Sequence, residues 1–217
     1  MEMTISRAAE VAGVTTRRLQ QAAETGDLSV QRVAGRTLLI DSAVLAAYLR
    51  TSRSGRRWGH RTARAALELL NDGRTTLLSG SELSRLRSRL SVLSGAGIAH
   101  KLNAAAGWFR YRSVGEASAE TLAGVRLTGP SALTDERLAE QLSLLPGPAS
   151  SVFGVVDDLS MAEVELALVP DGEGDIFLAE RASAGGTAQI LVDIFLFGDA
   201  RESAAAELEL ERRGAAC

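Results

Sequence analysis

Residues 5–49 run ISRAAEVAGVTTRRLQQAAETGDLSVQRVAGRTLLIDSAVLAAYL, and the spacing of apolar residues within them decides how the chain begins to fold. Thr4 stands where it can cap a helix, and Ile5, Ala8, Ala9, Val11 and Ala12 share one face of it, because residues three and four apart stack on a helical surface. Gly13 is placed to end that helix in the left-handed conformation, which only glycine enters without a Cβ clash. Val14 then reads as a buried plug, Thr15 or Thr16 as a second cap, and Arg17 to Glu24 as a second short helix closed by Gly26, with Leu19 pointing into the core. The runs 28–33 and 37–40 flank Ala34, Gly35 and Arg36, the pattern of a hairpin with a glycine-containing turn. Asp41 is placed to cap a third helix through Ala43, Val44, Leu45, Ala47, Tyr48 and Leu49.

Helix, turn, helix, hairpin and closing helix in this order resemble the winged helix-turn-helix of the excisionase and MerR type over about residues 4–50. The resemblance implies that the second helix enters the major groove of duplex DNA and that the hairpin, the wing, rides on the flanking backbone or minor groove. By position it assigns Thr15, Thr16, Arg17, Arg18, Gln20 and Gln21 to the groove, and Arg32 and Arg36 to phosphate. Arginine and glutamine suit such a reader, since their bidentate donors and acceptors match guanine and adenine edges. One departure is that Gln20-Gln21-Ala22-Ala23 is small and polar where the family carries an aromatic or large aliphatic residue. Weak affinity of a single module follows, with dimerisation or a second contact making up the difference, and a homodimer on DNA is the expectation.

Around this module the composition is that of a soluble globular protein, 46% hydrophobic and 24% charged. No run approaches the ~20 apolar residues of a membrane-spanning helix, and the first residues lack a signal-peptide pattern, so no membrane partner and a cytoplasmic, nucleoid-associated location are expected. The single cysteine, Cys217, excludes an internal disulfide and any thiolate metal cluster. Of the 24 basic residues only Lys101 is lysine, as in a GC-rich coding sequence. The net charge of −3 hides a split: residues 1–113 hold 18 basic and 8 acidic side chains (+10), and residues 114–217 hold 6 and 19 (−13). A basic half attracts a phosphate backbone, whereas an acidic half faces away from DNA or toward a basic partner.

Residues 50–58, RTSRSGRRW, form a Gly- and Ser-containing connector whose Arg53, Arg56 and Arg57 are further candidate phosphate contacts, with Trp58 as an anchor into the next core. Helical spacing continues from Arg61 to Leu70 and stops at Asn71-Asp72-Gly73. Ser79 and Glu82 have the spacing of a capping box for a helix that turns Leu83, Leu86 and Leu90 inward and Arg85, Arg87 and Arg89 outward. His100, beside Lys101, reads as a surface histidine.

The remainder alternates short strand-like and helical runs, so the expected class is α+β: a winged helix-turn-helix (1-52), a basic linker and helical segment (53-112) and an acidic mixed domain for protein contact (113-217). Residues 109–114 and 150–156 read as strands, and 163–169 with 174–179 read as a second hairpin about Pro170-Asp171-Gly172. The stretches GRRWGHRTARAALELL, LSRLRSRL and AQILVDIFLFGDARESAAAELELERR resemble, loosely, the actinobacterial helix-turn-helix proteins related to AbiEi-type antitoxins of type IV toxin–antitoxin systems. In that family an apolar helix bearing an Asp is followed by a glycine break and an Arg- and Glu-containing helix, and Asp193, Gly198, Arg201 and Glu202 stand at those positions. The resemblance implies an autorepressor whose acidic half contacts a toxin or another basic protein.

Chemistry-bearing motifs are sparse: two histidines, no metal-ligand spacing, no phosphate-cradling glycine loop and no nucleophile elbow. The Asp157-Asp158 pair reads as a loop or helix cap. The expectation is therefore no enzyme and no cofactor, but a sequence-specific transcriptional regulator whose partner is double-stranded DNA. A nucleoid-associated or recombination accessory protein that bends DNA is the alternative.

Overall fold

A computed structural model describes residues 1–32, 37–51, 55–114, 124–181 and 186–217. In chain order the elements open with β1 (Glu2–Thr4), α1 (Ile5–Ala12), α2 (Thr16–Glu24), β2 (Gln31–Arg32), β3 (Leu38–Asp41) and α3 (Ser42–Thr51). Three helices follow, α4 (His60–Asp72), α5 (Gly80–Leu90) and α6 (Gly95–Lys101), then β4 (Trp108–Ser113), β5 (Arg126–Leu127), a 3-10 helix (Gly129–Thr134) and α7 (Glu136–Gln141). The last elements are β6 (Val152–Val156), α8 (Leu159–Glu165), β7 (Leu168–Pro170), β8 (Ile176–Glu180), α9 (Gly186–Phe197) and α10 (Ala200–Ala215). The class is α+β, as the mixture of helical and strand periods predicts.

Two compact units emerge, and they interleave in sequence. One gathers Met1–Arg50, Ala105–Leu127 and Ala149–Ser183; the other gathers Thr51–Ala104, Thr128–Pro148 and Ala184–Cys217. Neither coincides with the consecutive segments 1-52, 53-112 and 113-217 of the sequence reading. Interleaving also dissolves the charge split. The first unit holds 10 basic and 15 acidic residues, net −5, and the second 14 and 12, net +2.

In the first unit, β3 is the centre of a small antiparallel sheet of order β1-β3-β2, with Met3 opposite Ile40 and Gln31 opposite Leu39. Strand β1 is absent from the sequence reading because three residues are too few to show a period. A second sheet has the order β5-β6-β8-β4-β7, antiparallel except for the parallel pair β6 and β8. This order corrects the second hairpin: β4 lies between β7 and β8, which do not pair, and residues 163–165 belong to α8. The alternation of 163–169 suits either structure, and Asp158 decides it, its carboxylate accepting from the Met161 N–H at 3.0 Å as the cap of α8. Trp108, Ile176 and Leu178 are fully buried in this sheet, and Phe153 stacks on Phe177 with ring centroids 4.8 Å apart.

Gly174, just before β8, closes against β4 so tightly that a Cβ there would stand 1.9 Å from the Tyr111 carbonyl oxygen. The carbonyl is backbone and a Cβ is fixed directly to the backbone, so neither can rotate away. Gly174→Ala is therefore expected to destabilise the protein by about 3 kcal/mol through forced backbone shifts, read as a lower midpoint of urea unfolding.

In the second unit, α9 is apolar all round and buried from Leu191 to Leu196, as suits a helix at the centre of a core. Asp193 is its one fully buried acidic side chain, accepting from Thr128 Oγ1 at 2.7 Å and Gln189 Nε2 at 3.0 Å. Asn71, near the end of α4, turns its Oδ1 to the Ala188 N–H at 2.7 Å and so caps α9. Asp199 and Glu202 form a capping box at the start of α10. Ser79, by contrast, precedes α5 without a side-chain cap hydrogen bond, so the capping box expected there does not form.

Candidate nucleic-acid interface

The geometry of α2 follows from its two ends. Helix α1 stops at Gly13, whose φ of 63° lets its own N–H and that of Val14 return to the Ala9 and Glu10 carbonyls. The chain thus turns within three residues, and Thr15 caps α2 by accepting from the Arg18 N–H at 3.3 Å. Val14 is half-buried and Val11 59% exposed, so the plug and the apolar face of α1 are shallower than the sequence suggests. Ala8 and Ala9 carry the contact surface of α1 instead.

Leu19, fully buried, and Ala22 set the inner face of α2. At 100° per residue, Arg17, Gln20, Gln21 and Glu24 then line up on the opposite side, and all four are exposed. Arg18 is exposed on the shoulder of this strip, and Thr16 is half-buried. Thr15 is exposed, with its oxygen committed to the cap. Glu24, which the sequence reading leaves out, closes the strip with an acidic end.

Arg32 ends β2, paired with Leu38. The side chain of Arg32, the turn 33–36 with Arg36, and Arg53 lie outside the described residues. Arg56, exposed, and Arg57, half-buried, belong to the second unit. The expected DNA-contacting set is therefore divided: the structure gathers the residues of α2 on one helix and places Arg56 and Arg57 in a different compact unit.

Asp41 fastens the small sheet and α3 to the larger sheet. Its Oδ1 caps α3 through the Ala43 and Val44 N–H groups, at 2.8 and 3.3 Å, while its Oδ2 pairs with Arg110 Nη1 on β4 at 3.1 Å. Arg110 also lies over the Phe177 ring, 5.0 Å from its centroid. Beside this junction a cavity of about 310 Å³ opens, whose lining includes Gln31, Leu39, Val44, Phe109, Tyr111 and Glu163. Tyr111 donates to Glu163 Oε1 at 2.9 Å, and burial, followed by that carboxylate, pushes its phenol well above the ordinary range.

His100 is buried, which corrects the surface assignment; its Nε2 lies 2.8 Å from the Gly55 carbonyl. Trp58 is half-buried. Arg85 and Arg89 on α5 are exposed while Leu86 and Leu90 are buried, and Arg87 reaches the Gly73 carbonyl at 3.1 Å. Among the described residues no group of three His, Cys, Asp or Glu side chains converges as it would around a metal ion, and no helix is long and apolar enough to cross a membrane. No family model, curated protein or solved structure matches the chain.

Proposed function

We propose that the chain binds duplex DNA through a winged helix-turn-helix spanning residues 1–50 and regulates transcription from the site it occupies. One observation carries this reading: α2 buries Leu19 and Ala22 and turns Arg17, Gln20 and Gln21 outward as a single strip. Arginine and glutamine are the side-chain types whose donors and acceptors match guanine and adenine edges, and the N-terminal part of a recognition helix is where base contacts concentrate. Strands β2 and β3 supply the antiparallel arms of the wing.

Attraction to DNA in this reading is local. The first unit is acidic overall, so the contact depends on the cations of α2 and the wing, Arg17, Arg18, Arg32 and Arg36. Four arginines held against the duplex, each displacing about one counterion whether it meets a base edge or a phosphate, correspond to a slope of log K against log salt of about −3.6. The test is a fluorescence-anisotropy titration of the protein against its own promoter fragment and a scrambled duplex at several salt concentrations. Tighter binding to the promoter with a slope near −4 is the expected result. Equal affinity for both duplexes favours an architectural role, and no binding at either low or moderate salt overturns the reading.

A further inference from the structure

The stretch Gly55 to Trp58 has the composition of a hinge, yet it is strapped to the end of α6 by three hydrogen bonds. The Trp58 N–H donates to the Lys101 carbonyl at 2.9 Å, Lys101 Nζ donates to the Arg56 carbonyl at 2.8 Å, and buried His100 holds the Gly55 carbonyl at 2.8 Å through Nε2. Gly55 sits at φ 105°, where a Cβ would stand 2.9 Å from Lys101 Nζ, so only glycine fits over the ammonium without displacing it. The chain's single lysine is thus tied to the strap through its ammonium.

Beside the strap lies a cavity of about 480 Å³. Its described walls hold four cations, Arg56, Arg57, Arg89 and Lys101, one indole, Trp58, and the aliphatic Val92 and Leu93, with no carboxylate among them. Cations drawn from residues 56 to 101 converge here only because the strap and the end of α5 are both fixed. Burial lowers the Arg57 guanidinium from its ordinary value, the direction produced when a cation is held in a wall and not on an open surface. Like charges gathered in one concavity repel one another, and a bound anion is what relieves that repulsion.

We propose that this cavity binds a nucleoside polyphosphate, with its phosphates among Arg56, Arg57, Arg89 and Lys101 and its base against Trp58. Four cationic side chains lining one concavity favour an anion of several charges, so a di- or triphosphate suits it better than a carboxylate or a single phosphate. The indole chooses the rest of it, since a planar base gains stacking and cation–π contact beside arginine. Shape separates this ligand from a duplex. The cavity has the volume of a small-molecule site, about 300–1,000 Å³, and a duplex presents its phosphates on a convex surface that meets the rim and not the walls.

The test uses the full-length chain and titrates ATP, GTP and inorganic pyrophosphate by calorimetry, with tryptophan fluorescence in parallel and Trp58→Phe to assign the signal. Both nucleotides are expected to bind and to change the Trp58 emission. Arg89→Glu, at an exposed position that leaves the fold intact, is expected to weaken both by about tenfold or more. Trp58→Ala is expected to weaken the nucleotides but not pyrophosphate, and Arg17→Ala/Arg18→Ala to leave nucleotide binding unchanged, which separates this site from the DNA reading. Absence of binding at millimolar triphosphate overturns the proposal. So does unaltered affinity in Arg89→Glu, or a loss of duplex affinity in that variant equal to its loss for nucleotide, which makes the cavity part of a DNA footprint.

Discussion

The double substitution Arg17→Ala/Arg18→Ala is expected to lower affinity for the promoter duplex about a hundredfold at moderate salt without unfolding the protein. Each arginine that engages a base edge or phosphate is worth about 1–3 kcal/mol, so losing two removes most of what one small module contributes. The fold survives because both side chains are exposed, alanine is the strongest helix former, and the cap of α2 uses the backbone N–H of Arg18, which alanine keeps. Two readouts separate a DNA contact from a general loss of charge. The slope of log K against log salt is expected to fall by about 2 units if both residues neutralise phosphate. Gln20→Ala and Gln21→Ala are expected to leave that slope alone and to relax the preference for promoter over scrambled duplex. A double variant that binds like the parent sinks the assignment of α2 as the reader.

The same titration reports on Arg56 and Arg57. Included with the arginines of α2 and the wing, as the connector's composition suggests, they push the slope from near −4 toward −6. Confined to the nucleotide cavity, they leave it near −4. One salt series thus decides between two uses of the same side chains.

How much of this was legible in the sequence depends on how far apart the deciding residues stand. Both ends of α1 and the start of α2 are readable because Thr4, Gly13 and the Thr15-Thr16 pair act within four residues of themselves, the structure choosing Thr15 of the pair, and the same local periodicity places Leu19 inward. Asp41 as the cap of α3 was readable too, but its bond to Arg110, 69 residues away, was not. The second hairpin failed for that reason: the turn at Pro170-Asp171-Gly172 is written locally, whereas the insertion of β4 between β7 and β8 is not. Interleaving of the two units likewise turned an apparent dipole of +10 and −13 into units of −5 and +2. The cation cavity left a faint trace, the arginines near 56 and 89 and a lone lysine, which only the strap on α6 converts into a site.

Glu209 is where a large loss of stability that varies with pH is expected. Its carboxylate, on α10 and 8% exposed, accepts from Arg212 at 2.6 and 2.7 Å, from Arg213 at 2.8 Å and from Gln141 at 2.7 Å. The Arg212 hydrogen bonds, helped by Arg213 and Gln141 and opposed by burial, hold it down to about 2 from an ordinary 4.5. A carboxyl depressed in the folded state stabilises the protein fully above pH 4.5, and that contribution is lost as the pH falls from there toward 2. Because Arg212 is two-thirds exposed and its pairing is screened, the loss is on the order of 2 kcal/mol and not the full value of the shift. Removing the side chain costs more than protonating it. Glu209→Ala leaves Arg213, only 15% exposed, without its carboxylate at a place where its Nη1 reaches the Leu70 carbonyl. Breaking a mostly buried pair from one side is expected to cost about 3 kcal/mol at pH 7. Urea unfolding of the parent and of Glu209→Gln across pH 2.5 to 7 checks both points: the parent loses stability through the acid window, and the variant, already lower at pH 7, follows a shallower curve. Parallel curves would show that another carboxylate governs the acid limb.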